Sequence, residues 1–474
     1  MKKIFFLSAF LYMLGGCNKD LSHLNIDQKN PSEVPSYTLF SNAQKNFANI
    51  LADANPNDNI FRLLVQQWTQ TTYTDESNYD LNTRGVPDQF WGIVYRDCLR
   101  DFEEAKNLIP TDVTDAAVQK NQLAIVDINQ VYAFSILVNT FGDIPYSQAL
   151  KPEILFPKYD DAKTIYDDLL SRLDADISAL DESAGSFAGG ADLLYGGDVV
   201  KWKKFANSLK LVMGMILADS DPAKAKSVVE SAAAGAFDSN DDNAVFNFLS
   251  SPPNTNPVWV NLVQGGRNDY VPANTIINAL KALNDPRLEI FFTLDANGDY
   301  SGGVPGDGNT FSIFSHVSPS QTAADAPFVL LDYAQVEFTL AEAVERGMSV
   351  SGTSEQHYNN AVTASIEAWG GSSAQAATYL GQADVKYSTA PGNFKQKIAM
   401  QEYLALYNRG IDAWTLVRRL DYPDLATPTN ALSEFPARFT YPILEQNINT
   451  SNYTSASNAI GGDAVTTKLF WDKN

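Results

Sequence analysis

The sequence has few of the residues on which catalytic and metal chemistry most often depend. Two cysteines and three histidines occur among its 474 residues. It contains no His-Glu-x-x-His pair for zinc, no Gly-x-Ser-x-Gly turn for a serine nucleophile and no phosphate-binding glycine loop. Basic residues are also scarce, because 34 lysines and arginines stand against 56 aspartates and glutamates and leave a net charge of −22. This acidity argues against a nucleic-acid-binding protein, which needs a basic surface.

The first residues have the layout of an export signal. A basic start is followed by an apolar stretch over 4–14, which is too short to span a bilayer, and by Leu-Gly-Gly-Cys ending at Cys17. That ending resembles the lipobox of bacterial lipoproteins, in which the cysteine thiol carries diacylglycerol. The resemblance implies a signal peptide at 1–16 and lipidation at Cys17, whereas the alternative is an ordinary signal peptide with a chance cysteine. Residues 17–36 are polar, include Pro31 and predict an extended tether.

Apolar residues beyond this signal are spaced for amphipathic helices, and we expect no later stretch to be long and apolar enough to cross a membrane. The clearest stripe consists of Phe90, Val94, Cys98 and Phe102, which lie four residues apart on one helical face. Lipidation of Cys17 leaves Cys98 without a disulfide partner. Its place on the stripe predicts a small buried residue rather than a nucleophile.

Helical periodicity continues along most of the chain. Its strongest parts fall into pairs joined by short loops, over 88–218 and 330–421, and such pairs are the unit of an α-solenoid. An irregular all-α domain is the alternative. The predicted helices are 37–53, 59–74, 88–109, 116–140, 160–181, 198–218, 222–235, 272–283, 330–347, 354–369, 374–382, 393–408 and 410–421.

The segment 236–327 differs in composition from the helical parts. It is rich in Asn, Asp, Gly, Pro and Ser, as in SSPPNTNPVW at 250–259, and it predicts a loop-rich excursion. Short strands are expected within it at 244–248 and 288–294, and a further extended segment in the tail at 435–443.

Seven segments together carry a family pattern. In their order and separations they resemble the SusD/RagB family of outer-membrane nutrient-binding lipoproteins. The segments are NTFGDIPYSQAL (139–150), FPKYDDAKTIYDDLLSRLDADI (156–177), GGDVVKWKKFANSLKLVMGM (196–215), DPRLEIFF (285–292), LDYAQVEFTLAEAVERG (331–347), ALYNRGIDAWTLVRRLDYPDL (405–425) and PARFTYPILEQNINTSNY (436–453).

The resemblance implies a mostly α fold in which tetratricopeptide-like helix pairs form one side, within a single SusD-like domain over 37–474. It also implies a place in the outer membrane, lipid-anchored and facing the cell exterior. The implied partner is a TonB-dependent, SusC-like transporter barrel, over which such proteins sit as a lid that traps the ligand.

Aromatic residues in polar, non-periodic surroundings are the candidate ligand contacts. Sugars offer flat C–H faces to aromatic rings and hydroxyl groups to amides and charged groups. The resemblance implies that two such regions meet near the pocket. The alternative is that these rings fill the packing between loops and helices, since large aromatic residues are mostly buried. The candidates are Trp68, Tyr73, Tyr79 and Trp91 in the first region and Asn256, Trp259, Arg267, Asn268 and Tyr270 in the second.

The leading hypothesis is therefore a receptor without catalytic residues, metal or cofactor that binds an oligosaccharide. Capture of a peptide on the same fold and a lipid-anchored glycan hydrolase are the alternatives, and the hydrolase would need two carboxylates across a sugar. The cluster of Glu337, Glu342 and Glu345 is interpreted as a solvated or repeat-bridging helix face. The run from Asp295 to Asp299 begins like a calcium loop, but the following residues depart from that motif.

Overall fold

Long helices make up most of the protein. The computed structural model describes residues 34–188 and 190–473, so the predicted signal peptide, the lipidation site at Cys17 and most of the tether lie outside the described residues. The α-helices, in chain order, are α1 (Ser36–Ala52), α2 (Phe61–Leu64), α3 (Val86–Ile93), α4 (Arg100–Asp112), α5 (Ala116–Phe141), α6 (Ala162–Ala179), α7 (Val199–Ile216), α8 (Pro222–Ala232), α9 (Pro257–Trp259), α10 (Asn274–Ala282), α11 (Leu288–Phe291), α12 (Tyr333–Glu345), α13 (Ser354–Ala368), α14 (Ser373–Leu380), α15 (Phe394–Ala405), α16 (Gly410–Leu420), α17 (Ile443–Ile448) and α18 (Thr450–Ala459).

Short strands join segments that are distant in sequence. They form antiparallel pairs, β1 with β5, β2 with β3 and β4 with β6. π-helical turns at Val94–Leu99 and Val260–Gln264 continue α3 and α9. The strands are β1 (Trp68–Gln70), β2 (Ile144–Pro145), β3 (Tyr159–Asp160), β4 (Ala244–Phe246), β5 (Tyr270–Pro272) and β6 (Phe328–Leu331), and the 3-10 turns are Glu76–Asn78, Ala233–Gly235, Asn240–Asp242 and Phe311–Ile313.

Consecutive helices pack against each other as the solenoid prediction requires. Helix α5 packs on α4 and α6, α7 packs on α6 and α8, and α12 packs on α13 and α15. Contact between α7 and α12 joins the early pairs to the late ones across the loop-rich excursion. The mostly α fold with tetratricopeptide-like helix pairs is therefore confirmed.

Capping residues explain where several of these helices begin. The carboxylate of Asp115 accepts hydrogen bonds from the first backbone N–H groups of α5, Asp161 does the same for α6, and Asp198 for α7. Asp88 in α3 accepts hydrogen bonds from the backbone N–H groups of Ile443 and Leu444 at 3.1 and 3.0 Å. It thereby holds α17 at the tail.

Helix α5 corrects the expectation that no stretch beyond the signal could cross a membrane. By length and composition, Ala116–Phe141 is long and apolar enough to do so, and it is the one such helix among the described residues. Of its most apolar stretch, 94% is buried inside the protein. A helix that is apolar on every side is typical of a protein core as well as of a membrane span, and here the neighbouring helices cover it.

Two segments were assigned the wrong secondary structure. The helix predicted over 59–74 is limited to Phe61–Leu64, because Gln66 adopts a left-handed φ of +53° and the chain then pairs as β1. The strand predicted over 288–294 begins as the short helix α11 instead. Periodicity over a few residues does not separate these states.

The predicted apolar stripe lies in the core. Phe90, Val94, Cys98 and Phe102 each have a side chain that is 0% exposed. Burial also raises the pKa of the Cys98 thiol well above its usual value. Cys98 is therefore a buried neutral residue, as the sequence predicted.

Buried ion pairs tie the helix pairs together. Arg419 on α16 donates two hydrogen bonds to the carboxylate of Glu342 on α12, at 2.6 and 2.7 Å, and Arg346 donates a third. The neighbouring Arg418 lies 3.4 Å from the ring centroid of Trp414 and donates to the backbone carbonyls of Asn139 and Ala437.

Candidate ligand-binding site

Three segments that are far apart in sequence meet where β1 ends. The Thr71 backbone N–H donates to the Asp269 carbonyl at 2.9 Å, and its hydroxyl donates to the Asn268 carbonyl at 2.6 Å. From the other side, the Asn309 side-chain amide donates to the Gln70 carbonyl at 2.9 Å. We call residues 70–76, 265–270 and 304–311 the Thr71 junction.

The register of β1 and β5 fixes the Thr71 junction. Trp68 lies opposite Pro272 and Gln70 lies opposite Tyr270 in the antiparallel pair. Asn309 is 8% exposed, and its amide also donates to the carbonyls of Val304 and Asp307, so this side chain closes its own loop onto β1. The sequence marks Asn309 only as a turn residue, because it stands in a Gly- and Asp-rich loop.

The exposed candidates at the Thr71 junction are Tyr73, Arg267 and Asn268. Tyr73 is 75% exposed and has a left-handed φ of +53°, which is rare for an aromatic residue and can mark a functional position. The guanidinium of Arg84 lies 5.9 Å from its ring centroid. Arg267 pairs with Asp269 at 2.7 Å, and the structure therefore presents a ring, a guanidinium and an amide to solvent in the same region.

A buried carboxylate supports this surface from below. Glu76 is 0% exposed, accepts a hydrogen bond from the Gln70 amide at 2.6 Å and pairs with the Arg84 guanidinium at 2.6 Å. Burial raises the pKa of Glu76, whereas the bonds from Gln70 and Arg84 lower it. Arg84 thus joins the Glu76 carboxylate to the region of the Tyr73 ring, a role that the sequence analysis missed.

The burial of Trp68, Tyr79 and Tyr270 corrects the expectation that they expose their rings. Their side chains are 2%, 2% and 5% exposed. The Trp68 indole N–H donates to the Tyr407 hydroxyl at 3.0 Å, and the Tyr270 hydroxyl donates to the Ala54 carbonyl at 2.7 Å. These three rings pack in the core beneath the Thr71 junction, where each of them buries a large apolar area.

Asn256 and Trp259 belong to the short helix α9 rather than to the Thr71 junction. Asn256 is 2% exposed and caps α9, since its side chain accepts from the Val258 N–H and donates to the Ala326 carbonyl. Because its side-chain oxygen and nitrogen both bond to the backbone and are buried, Asn256 does not present them to a ligand. Its assignment as a ligand contact is thereby corrected. Trp259 is half-buried and stands where the π-helical turn begins, next to Val260 and Val263, which are 41% and 52% exposed.

Trp91 lies in a different place from the other candidates. Its indole packs on Tyr95, Phe141 and Tyr159, with ring centroids 4.9, 4.9 and 6.0 Å away, and it is 9% exposed. The residues beside it line a cavity of about 400 Å³. The candidates predicted from the sequence therefore lie in three places. One group lies at or beneath the Thr71 junction, Asn256 and Trp259 lie at α9, and Trp91 lies at this cavity.

Acidic and histidine residues do not form a metal centre in the part of the chain that the structure describes, since no three of them gather. In the run that begins like a calcium loop, Asp295 accepts hydrogen bonds from two backbone N–H groups and from the Ser301 hydroxyl, and Asp299 pairs with Lys281 at 2.8 Å. Glu337 pairs with His357 at 2.8 Å, and Glu342 bridges arginines. These carboxylates are used in the scaffold.

Comparison with known proteins gives a consistent result. Residues 28–442 match the SusD-like family, which is described as starch-binding and as associating with the outer membrane. No curated protein matches the chain.

Solved structures cover nearly all of the chain. A chitin-binding protein is 26% identical with a TM-score of 0.81, covering 93% of this chain and 100% of its own. A SusD homologue from Bacteroides uniformis is 26% identical with a TM-score of 0.78, covering 92% and 100%. A chitin-binding SusD homologue from Flavobacterium johnsoniae, at 22% identity, has a TM-score of 0.79 and covers 92% and 99%.

Proposed function

Because the chain belongs to the SusD-like family of starch-binding proteins that associate with the outer membrane, we propose that it binds an oligosaccharide at the cell surface and delivers it to a TonB-dependent, SusC-like transporter. Lipidation at Cys17 would hold it there. The observation that carries this proposal is the match over 28–442 together with an open aromatic ring at the Thr71 junction.

Binding would take place at the Thr71 junction, with Tyr73 as the platform for one sugar ring and with Arg267 and Asn268 as partners for hydroxyl groups. Trp259, on α9 outside the junction, would contribute a second ring, because the π-helical turn Val260–Gln264 leads directly from it to residue 265 of the junction. Each stacked ring supplies about 1–3 kcal/mol. After the cost of association, two rings give millimolar to micromolar dissociation constants, as a protein that must release its cargo needs.

The carboxylates at the Thr71 junction support binding rather than hydrolysis. Glu76 is buried against Arg84, and Asp269 pairs with Arg267. A glycosidase needs one carboxylic acid and one carboxylate on either side of the scissile bond. Asp75 also lies within 3.7 Å of the Arg84 guanidinium, so among the described acidic residues of the junction only Asp307 has no guanidinium partner. One such group does not supply the required pair, and we expect no turnover of a bound glycan.

Calorimetric titration with α-linked glucose oligomers and with β-linked N-acetylglucosamine oligomers tests the proposal. The names of the family and of a 26% identical relative suggest these two classes. We expect one class to bind and Tyr73→Ala to weaken binding at least tenfold, which is about 1.4 kcal/mol. Tyr37→Ala is the matched control, because Tyr37 is also an exposed tyrosine, at 52%, but lies on α1.

Other results would change the proposed binding surface or the proposed class of ligand. Equal affinity of the Tyr73→Ala and Tyr37→Ala variants would remove the Thr71 junction from the binding surface. Binding of basic peptides but of neither glycan would favour peptide capture, to which the net charge of −22 is suited. Co-purification with a large outer-membrane barrel would support delivery.

A further inference from the structure

The cavity beside Trp91 has the size of a small-molecule site. It measures about 400 Å³, within the usual range for ligand pockets. Its walls come from α3, from the π-helical turn that follows and the start of α4, from the β2–β3 region and from α17. The segments of the Thr71 junction do not contribute to its lining.

The apolar wall of this cavity is held rigidly. Trp91 and Tyr95 place their ring centroids 4.9 Å apart, and the Tyr95 hydroxyl donates to the Pro145 carbonyl at 2.6 Å, which fixes its ring. Pro157 and Leu150 complete the wall. Leu150 has a left-handed φ of +60°, which costs energy for a branched side chain and persists where the surroundings impose it.

A π-helical turn presents the polar side of the cavity. Turns of this kind are rare and frequently lie at functional sites. The turn Val94–Leu99 brings Tyr95 and Arg96 to the cavity, and Arg100 follows directly. Arg96 pairs with Asp97, whereas Arg100 is exposed and has no carboxylate within ion-pair distance among the residues that the structure describes.

Glu445 faces these arginines from α17. One of its carboxylate oxygens, Oε2, accepts hydrogen bonds from the Tyr159 hydroxyl and from the Asn449 amide, both at 3.0 Å. Oε1 accepts none from the described part of the chain, so it can accept one from a ligand. The cavity therefore combines ring faces, guanidinium donors and a carboxylate acceptor.

We propose that this cavity is a second carbohydrate-binding site, which holds one neutral sugar unit against Trp91 and Tyr95 while Arg100 and Glu445 bond its hydroxyl groups. Hydroxyl groups both donate and accept, so they match a rim that carries both kinds of partner. An anionic group would meet Glu445 as well as the arginines. The inference rests on the proposed glycan-binding function, and it adds a site that is separate from the Thr71 junction.

Gly92 offers a way to close this cavity without disturbing the core. It lines the cavity, and a Cβ atom built on it meets no atom within 4 Å. Gly92→Trp therefore places a large ring in the cavity, and Gly92→Ala is the matched control that adds only a methyl group. Alanine also favours the helix over glycine, so loss of binding in the alanine variant is not expected.

Saturation-transfer NMR with glucose and with N-acetylglucosamine tests the second site on the purified protein. For the sugar that binds, we expect Gly92→Trp to reduce the signal roughly twofold relative to Gly92→Ala, because independent sites contribute additively. Tyr73→Ala alone should remove the other half of the signal, which comes from the Thr71 junction. The Gly92→Trp/Tyr73→Ala double variant should give no signal.

The failures of the two proposals are distinguishable. If Gly92→Trp and Gly92→Ala give equal signals while Tyr73→Ala abolishes binding, the second site is refuted and the proposed function stands. If Gly92→Trp alone abolishes binding, the cavity is supported and the Thr71 junction loses its role. If neither sugar nor its tetramer binds the unmodified protein, both proposals are overturned.

Discussion

Replacement of Trp68 by alanine tests the conclusion that this ring belongs to the core rather than to the ligand. Trp68 is 2% exposed, and truncation of a large buried aromatic to alanine costs about 3–5 kcal/mol. The change also removes the indole N–H that donates to the Tyr407 hydroxyl, which lies in a residue that is 0% exposed. An unsatisfied buried hydroxyl adds to the loss, so we expect the upper part of that range.

Urea denaturation followed by circular dichroism measures this loss, with Trp259→Ala as the matched control. Trp259 is a tryptophan of the same predicted site but is half-buried, and we expect it to cost about 1 kcal/mol. Trp68→Phe keeps most of the buried area and should be intermediate. Unfolding of Trp68→Ala and Trp259→Ala at the same urea concentration would contradict the placement of the Trp68 ring in the core.

Further predictions concern buried charge and the lipid anchor. Burial raises the pKa of Glu402 to about 8 from an ordinary value of 4.5, so the unfolded chain releases this proton first and stability falls as the pH rises between those values. Glu402→Gln should therefore be more stable than the unmodified protein at pH 8 and equal to it at pH 4, as thermal melts would measure. Glu342→Ala should cost about 3–5 kcal/mol in urea denaturation, because it removes the buried carboxylate that accepts two hydrogen bonds from the Arg419 guanidinium. Cys17→Ser should move the protein from the membrane fraction to the soluble fraction and abolish labelling with palmitate, and retained labelling would refute the lipidation site.

Helices were predictable because their signal is local. The predicted bounds of α1, α5 and α13 differ from the structure by one residue at most, since apolar spacing and capping residues lie inside the segment itself. Helix α18 was missed because its sequence, TSNYTSASNA, is polar and β-branched residues interrupt it. It packs on β3 although it has no apolar stripe.

The short strands show the limit of local information. β1 and β5 are three residues each, and roughly 200 residues separate them, so neither has a pattern of its own. Their pairing nevertheless positions every exposed candidate at the Thr71 junction. The family resemblance supplied the expectation that the two regions meet, which residue spacing alone did not.

Tyr73 and Tyr79 explain why the binding candidates divided as they did. Both stand in the same polar stretch, and both have a left-handed φ, of +53° and +64°. Tyr79 is nevertheless buried, because Phe435 from the tail packs on its ring at 6.1 Å, whereas Tyr73 lies at the surface of the Thr71 junction and is 75% exposed. The partner that decides between packing and binding comes from more than 350 residues further along the chain. An aromatic residue in a polar stretch of sequence therefore indicates a contact surface without saying what it contacts. Whether the ring packs in the protein core or stays open to a ligand is decided by residues that are distant in sequence.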